Sequence, residues 1–108
     1  MENQEEGRIK VYITYKAKTV AFSANPTNNM KVTVENIIKL AKMDPQKYWI
    51  LPEMNNGGQR ITYRLGKLDK GLKKIFQNMN NRREEQCLDD YGVKEGDNLI
   101  LAQKVIAG

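Results

Sequence analysis

Cys87 is the one thiol in this 108-residue chain, and the chain contains no histidine. A cysteine nucleophile or a thiol metal site needs partners that are missing here. Histidine is the usual general base, the usual metal ligand and the middle member of a nucleophilic triad. No activating base stands near Cys87 in sequence, so its first reading is a structural thiol. One cysteine forms no intramolecular disulfide. Self-contained catalysis is therefore not expected, and no metal or cofactor is called for. The other feature with chemical character is charge. Between Arg64 and Arg83 stand seven basic residues, Arg64, Lys67, Lys70, Lys73, Lys74, Arg82 and Arg83, against the single acid Asp69. That segment's balance of +6 exceeds the +5 of the whole chain, so the rest is close to neutral. Basic character belongs to one element rather than to the fold as a whole. A solvated face is its first reading and docking to an acidic partner protein the second. Nucleic acid comes third, because the segment lacks interleaved aromatics and any binding motif.

The elements that must position these residues follow from hydrophobic period. Ile9, Val11 and Ile13 alternate with Lys10, Tyr12 and Thr14, which predicts a strand from Arg8. A turn at Lys16-Ala17-Lys18 and a second strand over Thr19–Ala24, with Val20 and Phe22 on one face, complete an antiparallel hairpin. Thr33 reads as a helix N-cap, with Glu35 in the first turn and Lys39 and Lys42 in the last. Val34, Ile37, Ile38 and Ala41 form one apolar stripe, and Asp44-Pro45 stops the helix. Tyr48-Trp49-Ile50-Leu51 reads as a third strand, Asn55-Asn56-Gly57-Gly58 as a turn, and Arg60–Tyr63 as a short fourth strand. Leu68, Leu72, Ile75, Phe76 and Met79 have helical spacing and predict a second, basic helix over 68–79, weakened at Gly71 by about 1 kcal/mol. A polar loop over 78–86 and a last strand from Asn98 to about Val105, with Leu99 and Leu101 on one face, complete the order. Pairing the first and last strands in parallel, with the first helix packed across the sheet, buries every stripe in one core. The expected fold is thus α+β, a β-grasp of four or five strands in a mixed sheet with one main helix and an inserted second one. Its parts are a tail over 1–7, the domain over 8–102 with the basic insert 64–83, and a tail over 103–108.

Two short motifs carry a family resemblance. Thr33-Val34-Glu35-Asn36-Ile37 is similar to the threonine-isoleucine-glutamate-asparagine-valine that opens ubiquitin's main helix. Leu88-Asp89-Asp90-Tyr91 is similar to its leucine-serine-aspartate-tyrosine turn. From that tyrosine Leu99, Leu101 and Gly108 stand at ubiquitin's offsets. The resemblance covers about 8–52 and 88–108, and the layout looks more like prokaryotic ubiquitin-like proteins than the eukaryotic one. Such proteins occur beside activating, conjugating and isopeptidase-like enzymes, some in systems tied to phage defence. Where ubiquitin has a terminal glycine pair, this chain has Ala107-Gly108, preceded by Ile106.

The resemblance implies a protein modifier that supplies no catalytic residue. A carboxylate is a poor electrophile, so a partner enzyme must adenylate it with ATP and pass it to its own cysteine as a thioester. The modifier provides a slender end, and glycine is the slimmest residue. Gly108 is then the conjugated residue, supported by Ala107 and Ile106, and the partners are an activating enzyme, a conjugating enzyme, an isopeptidase-like protease and target proteins. The partner-facing candidates are Lys104, Lys70, Lys73 and Lys74, with Trp49 and Ala102 forming a ubiquitin-like docking patch if Trp49 faces outward; a core tryptophan is its first reading. A sulfur carrier ending in a thiocarboxylate and a non-covalent adaptor are the alternatives. The acidic start, Met1 to Glu6, is unlike a signal peptide, and no apolar run nears the ~20 residues of a membrane span, so a cytoplasmic setting is expected.

Overall fold

Apolar alternation builds the first hairpin as the sequence predicts. In a computed structural model, which describes residues 7–53, 55–76 and 87–107, β1 (Ile9–Tyr15) and β2 (Lys18–Ala24) pair antiparallel, with Val11 opposite Phe22. Val11, Ile13 and Tyr15 point into the core while Lys10 and Tyr12 point out. The main helix α1 (Met30–Met43) buries Met30, Thr33, Ile37, Ile38 and Ala41 on one side. Val34 and Ile9, expected inside, are half-buried at the margin of that core.

Helix α1 starts a turn earlier than Thr33 suggests. Asn29 is the N-cap, its Oδ1 accepting from the Val32 N–H at 2.8 Å. Thr33 lies inside the helix, buried, and its hydroxyl donates to the Asn29 carbonyl at 3.1 Å. Either residue type can cap, and Asn29 prevails because it sits at the end of the Asn-Pro turn, where the backbone is still extended. Glu35 consequently leaves the first turn, which has no acid, and Lys42 is the one base in the last.

Two other elements differ from expectation. The segment 48–51 joins no ladder; it follows a turn in which the amides of Lys47 and Tyr48 donate to the Asp44 carbonyl. More consequentially, the basic segment is a β-hairpin and not a helix through the described residues. A two-residue strand β3 (Asn55–Asn56) turns through Gly57-Gly58 into the long β4 (Gln59–Asp69), which turns again into β5 (Leu72–Ile75). Lys70 and Gly71 both have positive φ, 53° and 82°, the signature of the two-residue turn whose twist matches paired strands. Gly71 is therefore a turn residue, not a flaw in a helix. The remainder of the expected helix and loop, including Met79, Arg82 and Arg83, lies outside the described residues, as do Met1–Glu6.

The last strand β6 (Asn98–Ala107) is central: it runs parallel to β1, with Ile13 beside Leu99, and antiparallel to β4, with Leu65 beside Leu101. The strand order is β2-β1-β6-β4-β3, with β5 paired to the far half of β4. A short 3₁₀ turn, Leu88–Tyr91, closes the core with the fully buried Leu88. Helix α1 packs on one face of this mixed sheet. The fold is a β-grasp.

Candidate functional site

Strand alternation decides which side chains of β4 and β6 are available to a partner. Ile61, Tyr63 and Leu65 of β4 and Leu99 and Leu101 of β6 are buried on the helix side. Thr62, Arg64, Gly66 and Leu68 of β4 and Ile100, Ala102 and Lys104 of β6 therefore share the outer face. There Ala102 stands opposite Arg64, and Lys104 opposite Thr62. Ile75 of β5 leans onto this face at Gly66: a Cβ built at Gly66 would lie 2.7 Å from the Lys74 carbonyl oxygen and 2.9 Å from Ile75 Cδ1. Arg64, Ile75, Ala102, Gln103 and Lys104 line an open cleft of about 300 Å³.

The structure thus unites Ala102, Lys104 and Arg64, a member of the basic segment, with Ile75 and Leu68, which the sequence placed on the apolar stripe of a helix. The missed signal was the Asp69-Lys70-Gly71-Leu72 turn, which folds Ile75 back over Gly66. Lys70 is exposed at the hairpin tip, Lys74 is exposed, and Lys73 pairs with Leu68 in the ladder. Leu72, expected to pack on the domain, is 72% exposed, while Phe76 is buried and stacks on Tyr91 with centroids 4.5 Å apart.

Trp49 does not belong to the outer face. It is buried, its Nε1 donates to the Lys18 carbonyl at 3.2 Å, and Tyr15 meets it edge-on at 6.4 Å. Indole is buried where its N–H finds an acceptor, and the β1–β2 turn supplies one. The neighbouring Ile50 is exposed instead.

The C-terminal segment also differs from expectation. Residues from Gln103 onward are not a free end: the ladder to β4 continues through Gln59 opposite Ala107. Ala107 and Ile106 are thus strand residues, and Gly108 lies outside the described residues. Two tyrosines brace the inner side. Tyr15 Oη donates to Gln103 Oε1 at 2.7 Å, and Tyr63 Oη to the Pro52 carbonyl at 3.0 Å. Burial, with Tyr15 adding, pushes the Tyr63 phenol up to about 12.

Cys87 is half-buried and its Sγ lies 3.4 Å from Asp90 Oδ2, which also accepts from the Cys87 N–H at 2.9 Å. That carboxylate caps the 3₁₀ turn, and Cys87 bridges to Asn29 at the head of α1. Its surroundings are structural. The Lys94 amide and the Lys67 ammonium, 2.9 and 3.3 Å from Asp97 Oδ2, hold the Asp97 carboxyl below its ordinary range. Among the described residues no group of three or more His, Cys, Asp or Glu could hold a metal, and no helix is long and apolar enough to cross a membrane.

No protein-family model matches the chain. No curated protein matches it in sequence either. Solved structures do resemble it. The C-terminal ubiquitin-like domain of human 2′-5′-oligoadenylate synthetase-like protein superposes with a TM-score of 0.55 at 18% identity, over 96% of this chain and 90% of that one. The ubiquitin-like domain of the Mycobacterium tuberculosis type VII secretion system protein ECCD1 gives 0.57 at 15%, over 88% and 97%. A chain of the MycP5-free ESX-5 inner membrane complex gives 0.63 at 16%; 94% of the present chain is covered, but only 22% of that longer one. At these identities the likeness is one of fold, and the fold is ubiquitin-like.

Proposed function

We propose that the chain is a ubiquitin-like protein modifier, joined through the carboxylate of Gly108 to amines of target proteins. A partner enzyme adenylates that carboxylate with ATP, expelling pyrophosphate. An enzyme cysteine then displaces AMP to form a thioester, and a target amine displaces the thiolate. The observation that supports this reading is the run from the Tyr91 turn into β6. Leu99 and Leu101 anchor β6 in the core, and the strand then continues extended to Ala107, the neighbour of Gly108. An extended backbone of exposed residues, Gln103, Lys104 and Val105, suits a narrow active site once it leaves β4. The reading requires Gly108 as the terminal residue, as translated or after trimming. Purified protein, ATP and its cognate activating enzyme should give an adduct that reductant releases, and deleting Gly108 should abolish it while leaving the fold intact. A truncated chain that still modifies targets, or a full chain that never forms the adduct, overturns the reading.

The pairing of β6 with β4 through Ala107 favours a second reading, a non-covalent recognition domain that uses its sheet and keeps its C-terminal strand docked. It takes the modifier's place if no adduct forms.

A further inference from the structure

The last strand is held on both edges, but not by the same means. Its ladder with β1 ends at Ile100, opposite Thr14, while its ladder with β4 runs on to Ala107, opposite Gln59. Past Ile100, β1 reaches β6 through a side chain: Tyr15 Oη donates to Gln103 Oε1 at 2.7 Å. Tyr15 is fixed in place for this. It is buried, and its ring stands edge-on to Trp49, which is itself tied to the Lys18 carbonyl. On the other edge Gln103 stands opposite Tyr63, whose hydroxyl donates to the Pro52 carbonyl. Gln103 is thus gripped from both sides, at the residue where the sequence places the start of a free tail.

That grip limits what an enzyme can reach. With the ladder closed, Gly108 follows directly on the last pair, and one residue spans at most about 3.5 Å. With residues 103–107 released, Gly108 ends an arm that spans about 20 Å when extended. A narrow adenylating site needs the longer reach, and it must hold backbone that now lies in the ladder with β4. A closed ladder and a gripped tail therefore exclude one another.

We infer that the docked end of β6 is a resting state that withholds Gly108 from activation, with the Tyr15–Gln103 bond as its catch. The inference rests on the modifier reading and names how that site is regulated. Activation draws only on molecules whose residues 103–107 have left β4, so below saturation its rate scales with that fraction. Breaking the catch raises the fraction and leaves Gly108 itself unaltered. Tyr15 never touches the reacting carboxylate; it is a positioning residue, acting through the strand it holds.

Two measurements on the full chain test this. One is exchange of pyrophosphate into ATP by the cognate activating enzyme, with the chain below saturation. The other is trimming of residues 104–107 by a carboxypeptidase, followed by mass spectrometry. Tyr15→Phe should speed both roughly fivefold, the effect of one net hydrogen bond. Gln103→Leu should speed trimming equally, and the double variant no further, because each removes the same bond. Thr33→Val, which removes a hydroxyl bond inside α1, should leave both rates as they are. In a Cys87→Ser background, Thr62→Cys/Lys104→Cys puts thiols on directly opposed residues, close enough for a disulfide. Oxidised, that protein should be at least 10-fold slower in both measurements than it is after reduction. Exchange by the parent that Tyr15→Phe does not speed, or that the closed tether does not slow, refutes the gate and leaves the modifier reading standing. Trimming that Tyr15→Phe leaves unchanged, or that Thr33→Val speeds as much, refutes the catch. A parent that supports no exchange at all ends the modifier reading, and the gate with it.

Discussion

Replacing Gly66 by alanine tests whether the β4–β5 hairpin is held where the cleft requires it. The new Cβ would lie 2.7 Å from the Lys74 carbonyl oxygen and 3.0 Å from Ile75 Cα, both backbone atoms, as well as 2.9 Å from Ile75 Cδ1. The Ile75 side chain can rotate away. The backbone cannot, so β5 must move outward by about 0.7 Å for the closest pair to reach ordinary contact distance. Such overpacking costs about 1–3 kcal/mol. Alanine also restricts the unfolded chain, which returns roughly 0.4–1 kcal/mol. The net is a loss of about 1–2 kcal/mol, or a fall in Tm of about 4–10 °C for a domain of this size. The movement has a local reporter, because β5 leads directly into Phe76, whose amide donates to the Leu65 carbonyl at 2.8 Å and whose ring stacks on Tyr91. Urea or thermal unfolding gives the stability, and the Phe76 amide and Tyr91 ring resonances give the displacement. A Gly66→Ala protein as stable as the parent, with those resonances unmoved, would show that β5 does not press on Gly66 and that the cleft is not built as described.

Tyr15→Phe removes the 2.7 Å bond to Gln103 but keeps the ring against Trp49. Losing about 1 kcal/mol there should raise hydrogen exchange at residues 104–107 roughly fivefold, and unchanged exchange would mean that Tyr15 does not hold β6 down. The Tyr63 phenol, raised to about 12 from its ordinary 10, should be absent from the phenolate absorbance between those values, as found by difference from Tyr63→Phe. Since the folded state holds this proton more tightly than the unfolded one, its stabilising contribution is complete below about pH 10 and is lost as pH rises towards 12. A Tyr63 that titrates at its ordinary value would place its ring in solvent.

What was legible in the sequence was whatever one period expressed alone. Ile9, Val11 and Ile13 at period two, and Ile37, Ile38 and Ala41 at helical period, each fit one element, and the parallel pairing of first and last strands followed from them. The 68–76 segment was ambiguous, because Leu68, Leu72 and Ile75 fit a helical stripe as well as they fit strands flanking a two-residue turn. The turn decided it: Gly71 adopts positive φ at no steric cost, and β4 already extended from Ile61 through Leu65. Trp49 is buried, as the first reading of its residue type has it, but the Lys18 carbonyl that accepts from its indole lies 31 positions away and left no mark in the local pattern. The outer-face site was hidden for a related reason. Arg64, Ile75 and Ala102 meet only once β4 lies between β5 and β6.

Both functional readings converge on β4. Its first half, Gln59 to Tyr63, holds the end of β6, and its second half, Arg64 to Asp69, carries the hairpin and one wall of the cleft. The two halves differ in what fastens them. At Leu65 and Leu101 the pairing is sealed by side chains buried in the core. Towards Ala107 the paired strands keep a buried Ile61 opposite a Val105 that is 47% exposed, so backbone bonds carry most of the attachment. A ladder with little buried apolar surface opens at a low free energy, while the core beside it stays closed. The end of β6 can therefore leave β4 without disturbing Arg64, Ile75 or Ala102. An activating enzyme could grip the released segment, Lys104 included, while Arg64, Ile75 and Ala102 stay in place.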